Sequence, residues 1–243
     1  AAINGTHTPF TGDVDINQGD LVLASRVTEL AVNQSPLLPP GGFANYAVSS
    51  NTITIGDGSG TAHAAAGATA RLIIGSDVAG AVTADHHFGA DVNLDIRADG
   101  AVLTQGHSQV VENLTMDGGL LDTRNTNTGN GFVQINGQIT STGDNAMGEN
   151  GVIRGQIDLV NTTTIQVDPD STLSVEARVT TSGFTKTGTG TLNLSGTNTF
   201  TGDADITAGI VQAANDSALG ATSGDTPVRA GAQLQLQGVD ILH

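Results

Sequence analysis

Residues 183–209 read GFTKTGTGTLNLSGTNTFTGDADITAG. Leu192-Asn193-Leu194 alternates apolar and polar, which marks a strand with Leu192 and Leu194 on its buried face and Asn193 on the other. Gly188 and Gly190 precede it and allow tight turns between successive layers. Lys186 is expected at a solvated turn, where it offsets neighbouring carboxylates. The alternation continues outward along the chain in Val92-Asn93-Leu94-Asp95-Ile96-Arg97, Leu114-Thr115-Met116, Val133-Gln134-Ile135-Asn136, Ile157-Asp158-Leu159, Ile165-Gln166-Val167, Leu173-Ser174-Val175 and Leu234-Gln235-Leu236. Gly, Asn, Asp or Ser closes each run. No helix is expected; the Ala-rich stretch 62–70 is interrupted by Gly67 and lacks an apolar stripe.

The end of that segment repeats near the start of the chain. Phe10–Gly19 reads FTGDVDINQG and Phe200–Gly209 reads FTGDADITAG, with seven of the ten positions identical. The displacement between the copies is constant, so residues 1–243 are expected to form a single segment spanning about one tandem unit of roughly 190 residues plus the start of the next. Strand spacing supports a stacked architecture. Leu94 and Leu114, Leu114 and Ile135, and Leu173 and Leu192 are separated by nearly equal lengths of chain.

A parallel β-helix, with rungs of about 20 residues stacked at ~4.8 Å, fits these spacings, an interior of Val, Ile and Leu, and the recurrence of Gly-Ala-x-Leu at Gly100–Leu103 and Gly231–Leu234. The competing reading is an antiparallel sandwich, for which Asp57-Gly58 supplies a hairpin-like turn. Each unit is expected to add about nine or ten rungs, or ~45 Å. Two stretches should leave the rungs: 31–50, with Pro36, Pro39 and Pro40, and 122–150, rich in Asn and Gly around a strand at 132–139.

Composition narrows the function. The net charge is −16, with eight Lys plus Arg, which provides no basic stripe for nucleic acid. Cysteine is absent, so disulfides and thiolate metal sites are excluded. No apolar run approaches ~20 residues, so membrane insertion of this segment is not expected. No basic-then-apolar leader precedes Ala1, which places any export signal outside this stretch.

Candidate chemistry is sparse. Asp13 and Asp15, like Asp203 and Asp205, stand two apart and share a strand face; these four are the Ca²⁺ candidates, with a solvated outer face as the plainer reading. No other cofactor is expected. His86 and His87 are adjacent and face opposite ways on a strand, so they do not ligate one metal together. No nucleophile or acidic pair suited to polysaccharide cleavage stands out, and an enzyme is not expected. Phe43 and Tyr46, rare aromatics in the Pro-rich stretch, are the first candidates for loop contacts.

The segment 183–209 resembles the autotransporter-associated β-strand repeat of bacterial passenger domains. Phe184, Lys186, Gly188, Gly190, Leu192, Leu194, Gly196, Asn198, Phe200, Gly202 and Gly209 match its pattern by position. Phe184 replaces the usual Leu and Phe200 the usual Tyr. The stretch 5–19 matches the second half of the pattern, with His7 in place of Asn. The resemblance implies a right-handed parallel β-helix, exported to the surface of a Gram-negative cell and anchored through an outer-membrane translocator outside this stretch. The expected function is a rod-forming structural repeat of a surface adhesin, giving reach and multivalent adhesion or self-association. Its expected partners are neighbouring repeats of the same chain, sister molecules, surface carbohydrate, and host or abiotic surfaces. The alternatives are a carbohydrate- or ice-binding solenoid, whose marker would be a regular Thr array, and a carbohydrate-active β-helix enzyme. Along the chain, Thr162–Thr164 and Thr187–Thr191 are Thr-rich without the regular spacing such an array needs.

Overall fold

The computed structural model describes residues 13–23, 52–58, 68–74, 88, 91–124, 131–143 and 150–241. Among them lie twenty-one strands and no helix. The strands form three sheets whose ladders are parallel, which sets the sandwich reading aside. An eight-stranded sheet stacks, in order, Val14–Ile16, Thr52–Ile55, Asn93–Arg97, Leu114–Asp117, Gln138–Ser141, Thr163–Val167, Phe184–Thr187 and Ala204–Ile206. A nine-stranded sheet stacks Gly19–Leu23, Ala70–Ile74, Gly100–Leu103, Leu120–Asp122, Gly151–Arg154, Thr172–Val175, Thr191–Leu194, Ile210–Ala213 and Gln233–Leu236. Gln109–Val111, Val133–Ile135, Gln156–Leu159 and Arg178–Thr181 form a shorter third side. The chain passes from the third side to the eight-stranded sheet, then to the nine-stranded sheet, and climbs one rung. This is a parallel β-solenoid.

Alternation along each strand sends one residue in two to the interior, where the rungs stack them into columns. One column of the eight-stranded sheet runs Val14, Ile53, Leu94, Leu114, Ile139, Ile165, Lys186, Ile206. The core formed by such columns is continuous from Ile16 to Leu219. Each fully buried aliphatic side chain in it contributes about 1.5–3 kcal/mol. Small aliphatic residues suit the narrow interior; Phe184 and Phe200 are its largest fully buried apolar side chains and meet edge to face, 5.5 Å between centroids at 73°.

The register agrees with two of the expected spacings and corrects the third. Leu94 pairs with Leu114, and Leu173 with Leu192. Leu114 pairs with Ile139 rather than Ile135, because a turn at Asn136-Gly137 divides the expected strand 132–139 and leaves Ile135 on the third side beside Val111. The stretch 122–150 is accordingly no single excursion: Val133–Ile135 and Gln138–Ser141 within it are ladder strands. The stretch 31–50 lies outside the described residues.

The duplicated phrase occupies equivalent places. Val14–Ile16 and Gly19–Leu23 are the first strands of the two long sheets, and Ala204–Ile206 and Ile210–Ala213 are the eighth. The two copies thus stand seven rungs apart, about 34 Å at ~4.8 Å each, rather than the nine or ten expected from the length of chain between them. The shortfall comes from the first rungs. The partners Val14 and Ile53, and likewise Ile53 and Leu94, are separated by about twice the length of chain that lies between Leu94 and Leu114.

Candidate functional site

Lys186 is fully buried, at 0% exposure, in an aliphatic column between Ile165 and Ile206. This overturns its expected place at a solvated turn. The strand Phe184–Thr187 fixes its direction: Phe184 and Lys186 have the same parity, and Phe184 points into the core. A bare ammonium there would be costly. The corner following the strand meets that cost. Nζ donates to the carbonyl oxygens of Thr187 at 2.6 Å, Gly188 at 2.8 Å and Ala208 at 3.3 Å. Three donors meet three acceptors, two on its own rung and one on the next. Burial still pushes the Lys186 pKa down to about 8.

The glycines of the motif make room for this arrangement. Gly209 has φ +71°, and a Cβ on it would stand 2.5 Å from the carbonyl oxygens of Gly188 and Gly190 and 2.9 Å from Lys186 Nζ. Gly188, at φ +70°, packs against Val167 of the rung below. Gly190, Gly196 and Gly202 lie similarly close to the backbone at Asp168, Ala177 and Gly183.

Asn198 is the second polar clamp. Buried to 2% exposure, it accepts from Val179 N–H at 2.8 Å through Oδ1 and donates from Nδ2 to Ala218 O at 2.7 Å. Both atoms of its amide are satisfied, one toward the rung below and one toward the rung above. Leu192 and Leu194 point inward at 0% and 1% exposure, as their alternation predicts. Phe200 is buried beside Phe184.

The repeated FTGD phrase has a specific use. Asp13 Oδ1 accepts from Thr52 N–H at 3.0 Å, and Asp203 Oδ1 accepts from Asp225 N–H at 2.9 Å. At each end the same aspartate ties down the backbone of the following rung. Asp205 forms a two-bond ion pair with Arg229, 2.8 Å for each bond, and this guanidinium holds its carboxyl below the usual range. Asp15 is exposed on the outer face. Each aspartate of the two expected pairs therefore has its own surroundings, and Asp13, Asp203 and Asp205 are engaged by the protein itself. No group of three or more His, Asp or Glu side chains suited to a metal ion occurs among the described residues. Phe43, Tyr46, His86 and His87 lie outside the described residues.

Asp99 was not singled out in the sequence. It is fully buried and accepts from Gly58 N–H at 2.9 Å and from Thr69 Oγ1. Its only sequence signal is a position in the turn between two alternating runs, which many solvated aspartates share.

Residues 184–213 match the family described as passenger-associated-transport-repeat. The segment is similar to a passenger-associated-transport-repeat. The match begins at Phe184 and ends at Ala213, so it takes in Lys186, the corner glycines, Asn198 and the second FTGD phrase. Together with the parallel solenoid, it fits the chain to an autotransporter passenger repeat, and the family implies an exported, surface-exposed domain. No curated protein and no solved structure matches the chain. Within the matched residues, Lys186 and Asn198 are the buried polar side chains that bind one rung to its neighbours.

Proposed function

We propose that this chain is a rod-forming structural repeat of an exported bacterial surface adhesin, which gives reach and multivalent adhesion or self-association. The observation that carries this reading is the recurrence of FTGD seven rungs apart, with the same aspartate hydrogen bond to the next rung at both places. A unit that hands over to its successor through one repeated joint extends an array by a fixed length. Multivalency follows from repeating the same outer surface along that length.

Small-angle scattering of chains carrying one and two units tests the rod. The maximum dimension should grow by about 34 Å per added unit. Growth of the cross-section instead would overturn it. Adhesion of cells displaying one, two or four units tests the second half: attachment should rise more steeply than unit number, and attachment independent of unit number would remove the adhesive role.

One observation favours a second reading, a carbohydrate-binding solenoid. The register collects Thr residues that are scattered along the chain. Thr115, Thr140, Gln166 and Thr187 form one outward column of the eight-stranded sheet, and Gln138, Thr164 and Thr185 form the column beside it. This uncharged patch has rows ~4.8 Å apart and side chains about 6.6 Å apart within a row. Retention on insoluble polysaccharide that disappears when Thr140 and Thr164 become Lys would support it; no retention on a polysaccharide panel would end it.

A further inference from the structure

A solenoid of interchangeable aliphatic columns has a register problem. Side chains alternate with period two, so sliding one rung over the next by two residues keeps every apolar residue inside. This chain shows such an offset. The column that starts at Val14 ends, seven rungs later, at Ile206, which is the sequence equivalent of Ile16 rather than of Val14. In the nine-stranded sheet the column that starts at Gly19 reaches, seven rungs later, Val211, the equivalent of Leu21. Apolar patterning thus accepts either of two neighbouring positions at a given height.

We propose that Lys186 is a register-selecting residue, whose ammonium is satisfied only when the rung 204–213 lies on the rung 184–194 in the observed alignment. Two of its three acceptors, Thr187 O and Gly188 O, belong to its own corner and travel with it. The third, Ala208 O, belongs to the next rung. A two-residue slide moves that carbonyl about 6.6 Å along the strand direction and leaves one N–H of a fully buried cation without an acceptor. The slide also removes Gly209 from its place over Gly188 and Gly190, where a residue with a Cβ would meet Nζ. An aliphatic residue at 186 would impose neither condition. The lysine therefore discriminates between alignments that bury equal apolar surface, a use for which buried polar groups are known even where they cost stability.

Disulfide trapping in the full chain tests this, since the protein has no cysteine of its own. Thr185 and Asp205 are register partners, so T185C/D205C reports the observed alignment. T185C/T207C reports the alignment displaced by two residues. In a glutathione redox buffer at pH 7, the first pair should close and the second stay open. Adding Lys186→Met, which keeps length and removes charge, should raise closure of the displaced pair by on the order of tenfold or more. Unchanged closure of both pairs in the Met variant would overturn the proposal. Lys186→Gln retains two amide protons and should give an intermediate result. Loss of the β signature in far-UV circular dichroism in both variants would make the lysine a stabilising group and would equally overturn it. Each outcome is independent of whether the rod is adhesive.

Discussion

At the scale of the residue, the most informative side chain is the one whose placement runs against its charge. Parity along Phe184-Thr185-Lys186 puts the lysine on the same face as Phe184, so its inward direction was present in the sequence. The cost of burying a cation argues against that direction, and only the corner carbonyls, invisible until the rungs are stacked, reverse the balance. Titration of this group has a definite sign. Its folded pKa of about 8 lies below the unfolded value of 10.5, so between these values the unfolded chain binds more protons. Stability should therefore rise with pH through this window, relative to Lys186→Met, by at most about 3 kcal/mol. Urea midpoints at pH 7, 9 and 10.5 read this out, and parallel pH profiles for the two proteins would refute it. Asn198→Ala leaves the Val179 N–H and Ala218 O without their partner and should cost about 2–4 kcal/mol by the same measurement.

At the scale of the element, corners and strands carry different information. Strand existence was readable because period-two alternation is a property of neighbouring residues: Leu192-Asn193-Leu194 and Ile165-Gln166-Val167 lie in strands as the pattern requires. Which strands pair was less readable, because pairing depends on what the intervening corner does. Leu114 skips Ile135 and pairs with Ile139 for that reason. Two corner glycines separate crowding from backbone strain. Gly231 has φ +87° with nothing within 4 Å of a Cβ, so Gly231→Ala should cost only the left-handed strain of about 1–2 kcal/mol. Gly209→Ala adds overlap with two carbonyls and Nζ and should cost clearly more. Equal urea midpoints for the two variants would contradict the crowding argument.

At the scale of the whole molecule, stability should be graded along the axis. The rungs from Asn93 upward close short loops, as from Leu94 to Leu114 and from Ile139 to Ile165, whereas the two below close the longer loops from Val14 to Ile53 and from Ile53 to Leu94. Each doubling of loop length adds about 0.6 kcal/mol of closure entropy. The rung that begins at Phe184 also has its lysine and asparagine clamps. Hydrogen exchange should therefore be slowest at Phe184–Thr187 and Thr191–Leu194 and faster at Thr52–Ile55. The reverse order would show that these clamps do not govern local opening. The duplicated phrase made the chain length between its two copies legible, but not the number of rungs between them. That count assumed one uniform pitch throughout, and longer connections consume chain without adding height. The Thr columns were hidden for a related reason: they are periodic across rungs and irregular along the sequence.

The buried lysine is also the only one in the sequence. The folded chain therefore presents no lysine amine to its surroundings. Lysine-specific proteases, aldehydes and activated esters find no lysine target on its exterior. The same scarcity turns Lys186 into a clock, because the rate at which an amine reagent reaches it measures how often its rung parts from the next.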